Sequence, residues 1–226
     1  LSFAAVISLA SGALAGVPEG PCNCNAGLDS FRPTPANPMI SLPFRRPRRG
    51  ATIDALYGMI VAQARSPSFY RGYGVPDVVE ARIDMIMLHL VLVLRNLRAG
   101  GPMADKTGSV NQRNGSLAQM LFDHFCQDMD DNFREMGVGD LSVPKEMQRI
   151  AEAFYGRAKA YDTALDAGDM VALEAALARN IYGASASEPS ARRLAIYARA
   201  AADVLEDQDL SRGSARFPDP EAVVPL

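Results

Sequence analysis

The residues with the most capacity for chemistry lie in one acidic segment, residues 122–136, whose apolar spacing is that of a helix. His124 and Asp128 are four residues apart, so a helix would place both on one face, where they could share a metal ion. Metal sites in helical bundles use a Glu-x-x-His motif, and neither His89 nor His124 has a glutamate three residues before it. The Cys-x-x-Cys spacing of zinc sites is also missing from the sequence. The sequence therefore predicts no metal site.

Catalysis by a cysteine–histidine pair is disfavoured as well. His124 and Cys126 are two residues apart, and a helix turns by about 200° over that distance, so the two side chains point away from each other. The chain has neither a GxGxxG nor a GxxxxGK motif for phosphate groups, and no CxxCH motif for covalent haem. The cysteine–histidine enzyme interpretation is therefore weak, and the sequence predicts no bound cofactor.

The carboxylates of the same segment are better suited to binding a basic partner. They lie on the opposite face from its apolar stripe, and complementary charge speeds and orients association. A simple solvated face is the alternative interpretation. The predicted acidic binding residues are Asp123, Asp130, Asp131 and Glu135.

A second charged segment is strongly basic, because no acid lies between Asp29 and Asp54. Repulsion among its arginines predicts an exposed, flexible arm rather than the start of a helix. Such an arm could contact anionic lipid head groups or RNA phosphates, and a solubilising leader is the equal alternative. The residues concerned are Arg45, Arg46, Arg48 and Arg49.

The composition is that of an ordinary globular protein. The chain has 226 residues, 48% of them hydrophobic and 22% charged, and a net charge of -3, which argues against general binding to polyanions. Its three cysteines give no disulfide framework and indicate a reducing compartment. The most apolar run, residues 83–94, is much shorter than the roughly 20 residues that cross a bilayer, so no membrane helix is predicted.

Residues 17–38 are rich in proline, glycine and asparagine and have no periodic apolar pattern. Residues 1–16 resemble the apolar core of a signal peptide, but the basic residues that normally precede such a core are missing. We therefore expect translation to start at Met39. A secreted helical protein stays open as an alternative if residues 1–16 are a true signal, as does a small α-helical enzyme that depends on a metal or uses an acid.

Apolar residues recur at helical spacing along most of the chain, and no segment alternates at period two. The predicted fold is all-α, a single compact bundle of about six or seven helices with flexible N- and C-terminal tails. The predicted regions are an extension over residues 1–50, a helical domain over 51–207 and a disordered tail over 208–226. Within the domain, helices are expected at about residues 53–66, 66–73, 77–98, 116–136, 143–165, 169–182 and 187–207, with a mobile polar loop at 99–115.

Gly156 lies in the middle of the fifth long helical segment. Glycine at such a position costs about 1 kcal/mol relative to alanine, so it needs a reason. We expect another helix to approach closely there; contact with the backbone of a partner is the alternative.

Residues 52–182 resemble the ubiquinol–cytochrome c chaperone family, the assembly factors for cytochrome b of respiratory complex III. The order and spacing of several short pieces carry this resemblance. They are Tyr57-Gly58, Ala62-Gln63-Ala64-Arg65, Phe69-Tyr70, Gly74-Val75-Pro76-Asp77, Arg82, Asp84, His89, Phe122-Asp123, Asp128-Met129-Asp130, Arg134-Glu135-Met136-Gly137, Gly139-Asp140, Val143-Pro144-Lys145 and Phe154-Tyr155-Gly156-Arg157.

The resemblance implies a non-enzymatic chaperone that binds newly made cytochrome b and supports assembly of complex III. It adds Arg134, Lys145 and Arg157 to the expected client- or partner-binding residues. It also implies a small partner protein, the ribosome and peripheral contact with the inner membrane, and no DNA. The implied location is the bacterial cytoplasm at the inner membrane, or the matrix side in a mitochondrion.

Overall fold

The computed structural model describes residues 48–100, 109–183 and 188–224. Every regular element within these ranges is helical, which confirms the predicted all-α class. In chain order, the elements are α1 (Arg48–Ala64), α2 (Pro67–Arg71), α3 (Val79–Ala99), α4 (Ser109–Glu135), α5 (Val143–Ala167), α6 (Met170–Leu177), a π-helical turn (Ala178–Tyr182), α7 (Glu188–Glu206), a 3-10 turn (Leu210–Arg212) and α8 (Pro220–Val223).

Helix α3 is the centre of the bundle because it is apolar on all sides. Every residue from Met85 to Leu94 is buried, and the helix packs against α1, α4, α5 and α7. Three polar side chains of α3 are also buried, and one of them, Asn96, donates to the carbonyl oxygen of Leu205 at 2.6 Å. The other two are Asp84 and His89.

Helix α1 begins at Arg48, and so includes Arg48 and Arg49. The prediction that these arginines cannot belong to a helix start is therefore wrong for the backbone of these two residues. Proline is favoured at helix starts, and Pro47 directly precedes the first turn. The predicted arm residues Arg45 and Arg46 lie outside the described residues.

Helix α4 begins at Ser109, seven residues before the predicted helix start at residue 116. Residues 109–115 were expected to belong to a mobile loop, and that prediction is wrong. Asn114 is buried, and its side-chain amide donates to the backbone oxygen of Gly100 at 3.3 Å. This bond joins the start of α4 to the end of α3, a long-range contact that local composition does not reveal.

The C-terminal segment, predicted to be a disordered tail, has a defined position. Leu210, Ala215 and Pro220 are buried, and α8 packs against α2 and α7. The prediction failed because the apolar residues here follow no helical period. We call residues 213–224 the C-terminal strap.

Candidate functional site

The connection between α4 and α5, residues 136–142, forms an exposed corner. Gly137 ends α4 with a φ of +82°, a conformation that glycine adopts without a steric penalty. The backbone N–H of Val138 donates to Phe133 at 3.0 Å and closes the turn. Two large apolar side chains at this α4–α5 corner remain uncovered, because Leu141 is 98% exposed and Met136 is 55% exposed.

The predicted acidic residues form a continuous face that leads to the corner. Asp123, Asp131 and Glu135 are exposed on α4, and each step of four residues advances about 40° around the helix, so they follow a slanted row along it. The side-chain amide of Gln119 donates to Asp123 at 2.7 Å, and that of Gln127 donates to Asp131 at 3.3 Å. These three acids have no ion-pair partner among the described residues, so their charge faces outward.

Asp130 differs from these acids because it is engaged within the chain. The guanidinium of Arg134 lies 2.7 Å from Asp130 and 2.5 Å from Asp140. The triplet joins the last turn of α4 to the corner. Asp130 and Arg134 are thus paired within the chain, whereas Asp131 and Glu135 carry charge that is unpaired among the described residues.

The two remaining residues suggested by the resemblance lie in different settings. Lys145 is exposed in the first turn of α5. The side chain of Arg157 is only 18% exposed, and its guanidinium lies 2.8 Å from the carboxylate of Asp84 in α3. Burial raises the pKa of Asp84 to about 6, although the positive charge of Arg157 opposes that shift. Arg157 is therefore engaged mainly by this intramolecular ion pair with Asp84.

His124 and Cys126 point to different surroundings, as their spacing predicted. His124 packs edge-on against Tyr57 with ring centroids 4.8 Å apart, and the Tyr57 hydroxyl donates to Asp128 at 2.7 Å. Cys126 is half-buried, and burial raises the pKa of its thiol to about 12. Among the described residues, no group of three or more histidine, cysteine, aspartate or glutamate side chains could hold a metal ion.

Two surface depressions were not anticipated from the sequence. The larger is a cleft of about 870 Å³ between the C-terminal ends of α3, α5 and α7. Arg95 and Arg98 of α3 form ion pairs there with Asp166 and Asp162 of α5. The sequence shows that the two arginines are three residues apart and the two aspartates four residues apart. That the arginines meet the aspartates depends on how α3 and α5 pack.

The smaller depression is a groove of about 400 Å³ between α5 and α6, and Gly156 lines it. A Cβ atom added to Gly156 would meet nothing within 4 Å. The prediction that another helix approaches closely at this glycine is therefore wrong. Its neighbours in the groove include Ala160, Ala164, Ala172 and Ala176, so small side chains leave this surface open.

None of the described helices is long and apolar enough to span a bilayer. The described residues thus define an all-helical protein with an exposed acidic face on α4 and an exposed apolar corner between α4 and α5.

Comparison with known proteins specifies this class further. The family model described as ubiquinol-cytochrome C chaperone matches residues 71–212. A crystal structure described as the Cbp3 homolog from Brucella abortus is similar, with 36% sequence identity and a TM-score of 0.66 over 76% of this chain and 92% of that chain. A search of curated proteins gives no match. The chain belongs to the ubiquinol–cytochrome c chaperone family.

Proposed function

We propose that this protein binds newly made cytochrome b and supports its assembly into complex III. The observation that carries the proposal is membership of the chaperone family, shown by the match over residues 71–212 and by the similarity to the Brucella structure. The surfaces described above are consistent with binding rather than catalysis. We propose accordingly that the protein is not an enzyme.

The α4–α5 corner and its acidic face match the chemistry of such a client. A membrane segment combines an apolar stretch with basic residues at its cytoplasmic flank. Leu141 and Met136 offer exposed apolar contacts, while Asp131 and Glu135 offer unpaired negative charge one turn away. The corner would then take the end of the apolar stretch, and the acidic face would take the basic flank.

The same proposal places the protein at the inner face of the energy-transducing membrane, in peripheral contact with it. The basic residues Arg45, Arg46, Arg48 and Arg49 are suited to anionic lipid head groups, at about 1 kcal/mol per charge, or to ribosomal RNA. A small partner protein completes the proposed set of partners. Fractionation of cells between membranes and supernatant, at low and high salt, tests this placement.

Deletion of the gene tests the function directly. We expect membranes of the deletion strain to lose the b-type haem absorbance and the assembled complex III, and a plasmid copy to restore both. Normal spectra and normal complex III in the deletion strain would overturn the proposal.

Charge reversal tests the surface. Asp131→Lys with Glu135→Lys should reduce recovery of cytochrome b with the tagged protein, without changing the melting temperature. Glu206→Lys with Asp207→Lys is the matched control, because these exposed acids end α7 and line the other cleft. Equal recovery with both double variants would remove the acidic face from the client-binding surface.

A further inference from the structure

The C-terminal strap covers a surface that has the features of a peptide-binding groove. Residues 214–219 of the strap have no regular secondary structure, and α8 follows them. Beneath the strap lie side chains from α1, α3, α7 and the turn after α2. The strap contacts Gln63, Tyr73 and His89 there, and it also contacts Met59 and Ser68.

The groove holds the strap mainly by its backbone. The side-chain amide of Gln63 donates to the carbonyl oxygen of Pro218 at 3.2 Å, and the Tyr73 hydroxyl donates to that of Pro220 at 2.6 Å. Proline has no N–H and offers only its carbonyl. A proline-containing segment can therefore be held by hydrogen-bond donors on the groove, and Gln63 and Tyr73 supply them.

One side chain of the strap anchors it in an aromatic setting. The ring of Phe217 meets the His89 ring edge-on, with centroids 5.2 Å apart. Behind His89, the rings of Phe69, Tyr73 and Tyr197 pack together, with Phe69 4.8 Å from Tyr197 and 5.4 Å from Tyr73. Aromatic-lined grooves are the usual surfaces that recognise extended segments rich in proline.

Several polar groups of the groove floor bond to one another or to the core. His89 bonds the Met85 carbonyl oxygen at 2.8 Å and the Tyr197 hydroxyl at 3.0 Å. Gln63 also reaches the Tyr197 hydroxyl, at 2.9 Å. None of these bonds involves the strap, and the family match ends at residue 212, just before the strap begins. The Tyr73 hydroxyl is the exception, because its partner is the carbonyl oxygen of Pro220, so release of the strap costs the floor that hydrogen bond while the bonds among His89, Tyr197 and Gln63 remain.

We propose that this groove, formed by Gln63, Tyr73, His89 and Tyr197, is a binding site for extended peptides that carry an aromatic residue followed by Pro-x-Pro. The strap, with its sequence Phe217-Pro218-Asp219-Pro220, is the resident ligand. A partner segment of the same class displaces it. Because the strap is tethered, its effective concentration is in the millimolar range, so a free peptide competes only when the strap is weakened.

The full-length chain provides the test. The probe is a fluorescein-labelled peptide with the sequence of residues 213–224, and its anisotropy is followed during titration with protein. We expect the Phe217→Ala variant to bind the peptide at least roughly tenfold more tightly than the unmodified protein, because its own strap no longer competes at full strength. A peptide with alanine in place of the phenylalanine should bind neither protein.

Arg216→Ala is the matched control variant, since Arg216 lies in the strap beside Phe217 and its side chain is exposed. It should behave like the unmodified protein. Hydrogen exchange of the strap amides shows whether Phe217→Ala releases the strap. A released strap without peptide binding would overturn the proposal. An unreleased strap, or a variant that unfolds as a whole, would also overturn it, because the strap would then be a fixed part of the fold.

Discussion

The α4–α5 corner and the strap-covered groove use polar groups in opposite ways. At the corner, the bonded pair of Asp130 and Arg134 is four residues apart and exposed to water. In the groove, Gln63 and Pro218 are 155 residues apart, and the neighbouring histidine is fully buried. Exposed ion pairs contribute little to stability, whereas buried groups cost much when their partners are lost. The corner can therefore change its charges freely, and the groove cannot change its contacts without a loss of stability.

The largest effect on stability is expected when an aromatic side chain in the groove floor is truncated. Phe69 is fully buried beneath His89 and Tyr197. Phe69→Ala should lower the free energy of unfolding by about 3–5 kcal/mol, because it removes a large apolar side chain and leaves a cavity. Urea denaturation followed by circular dichroism measures the change. A loss below about 1 kcal/mol would show that the groove is no better packed than the corner.

The pH dependence of the folding stability should reflect the titration of His89. Burial lowers its pKa in the folded chain to about 4, from an ordinary 6.5, although the bond to the Met85 carbonyl works against the shift. Below pH 6.5 the unfolded chain binds the extra proton, so the fold loses stability as the pH falls from 6.5 towards 4, by at most about 1.4 kcal/mol per pH unit.

Comparison of the unmodified protein with His89→Gln at pH 7 and pH 5 isolates this contribution. The variant should lose less stability over that interval. The raised pKa of Asp84 acts in the opposite direction, but it is common to both proteins and cancels. Parallel pH profiles would show that His89 is not buried as described.

Removal of one bond to the strap should have a moderate effect. Tyr73→Phe deletes the hydroxyl that donates to Pro220, and a single hydrogen bond contributes about 0.5–1.5 kcal/mol. We expect faster hydrogen exchange of the strap amides, while α3 keeps its protection. If α3 and the strap lose protection together, the strap and the core unfold as one unit.

The smallest effect is expected at the corner. Leu141 is almost fully exposed, so Leu141→Ser should change the free energy of unfolding by less than about 0.5 kcal/mol. The same variant should reduce recovery of cytochrome b if the corner binds the client as proposed. A clear loss of stability would instead mean that Leu141 packs against another part of the chain.

The features that could be predicted from the sequence are the ones that depend on near neighbours. Gly137 marks the end of α4, and Asp169 begins α6 by accepting a hydrogen bond from the N–H of Ala172. The acidic face also follows from spacing alone. Its role in binding remains a prediction, as do the roles of Lys145 and Arg157.

The features that could not be predicted depend on residues that meet only in the folded chain. Asp84 and Arg157 each resemble ordinary surface charges in the sequence, and their pairing requires α3 and α5 to pack. Strap residues such as Phe217 and Pro220 show no apolar period, so composition alone favours disorder. What orders them is a set of side-chain donors located far away along the chain.

Gly213 begins the strap in a backbone conformation that favours glycine. Its φ is +81°, and an added Cβ would lie 3.2 Å from the Cα atom and a methyl group of Thr52 in α1. Any other residue at this position would meet both a strained backbone and a crowded neighbour. A substitution at this one position would therefore loosen the strap while leaving every residue of the groove beneath it unchanged.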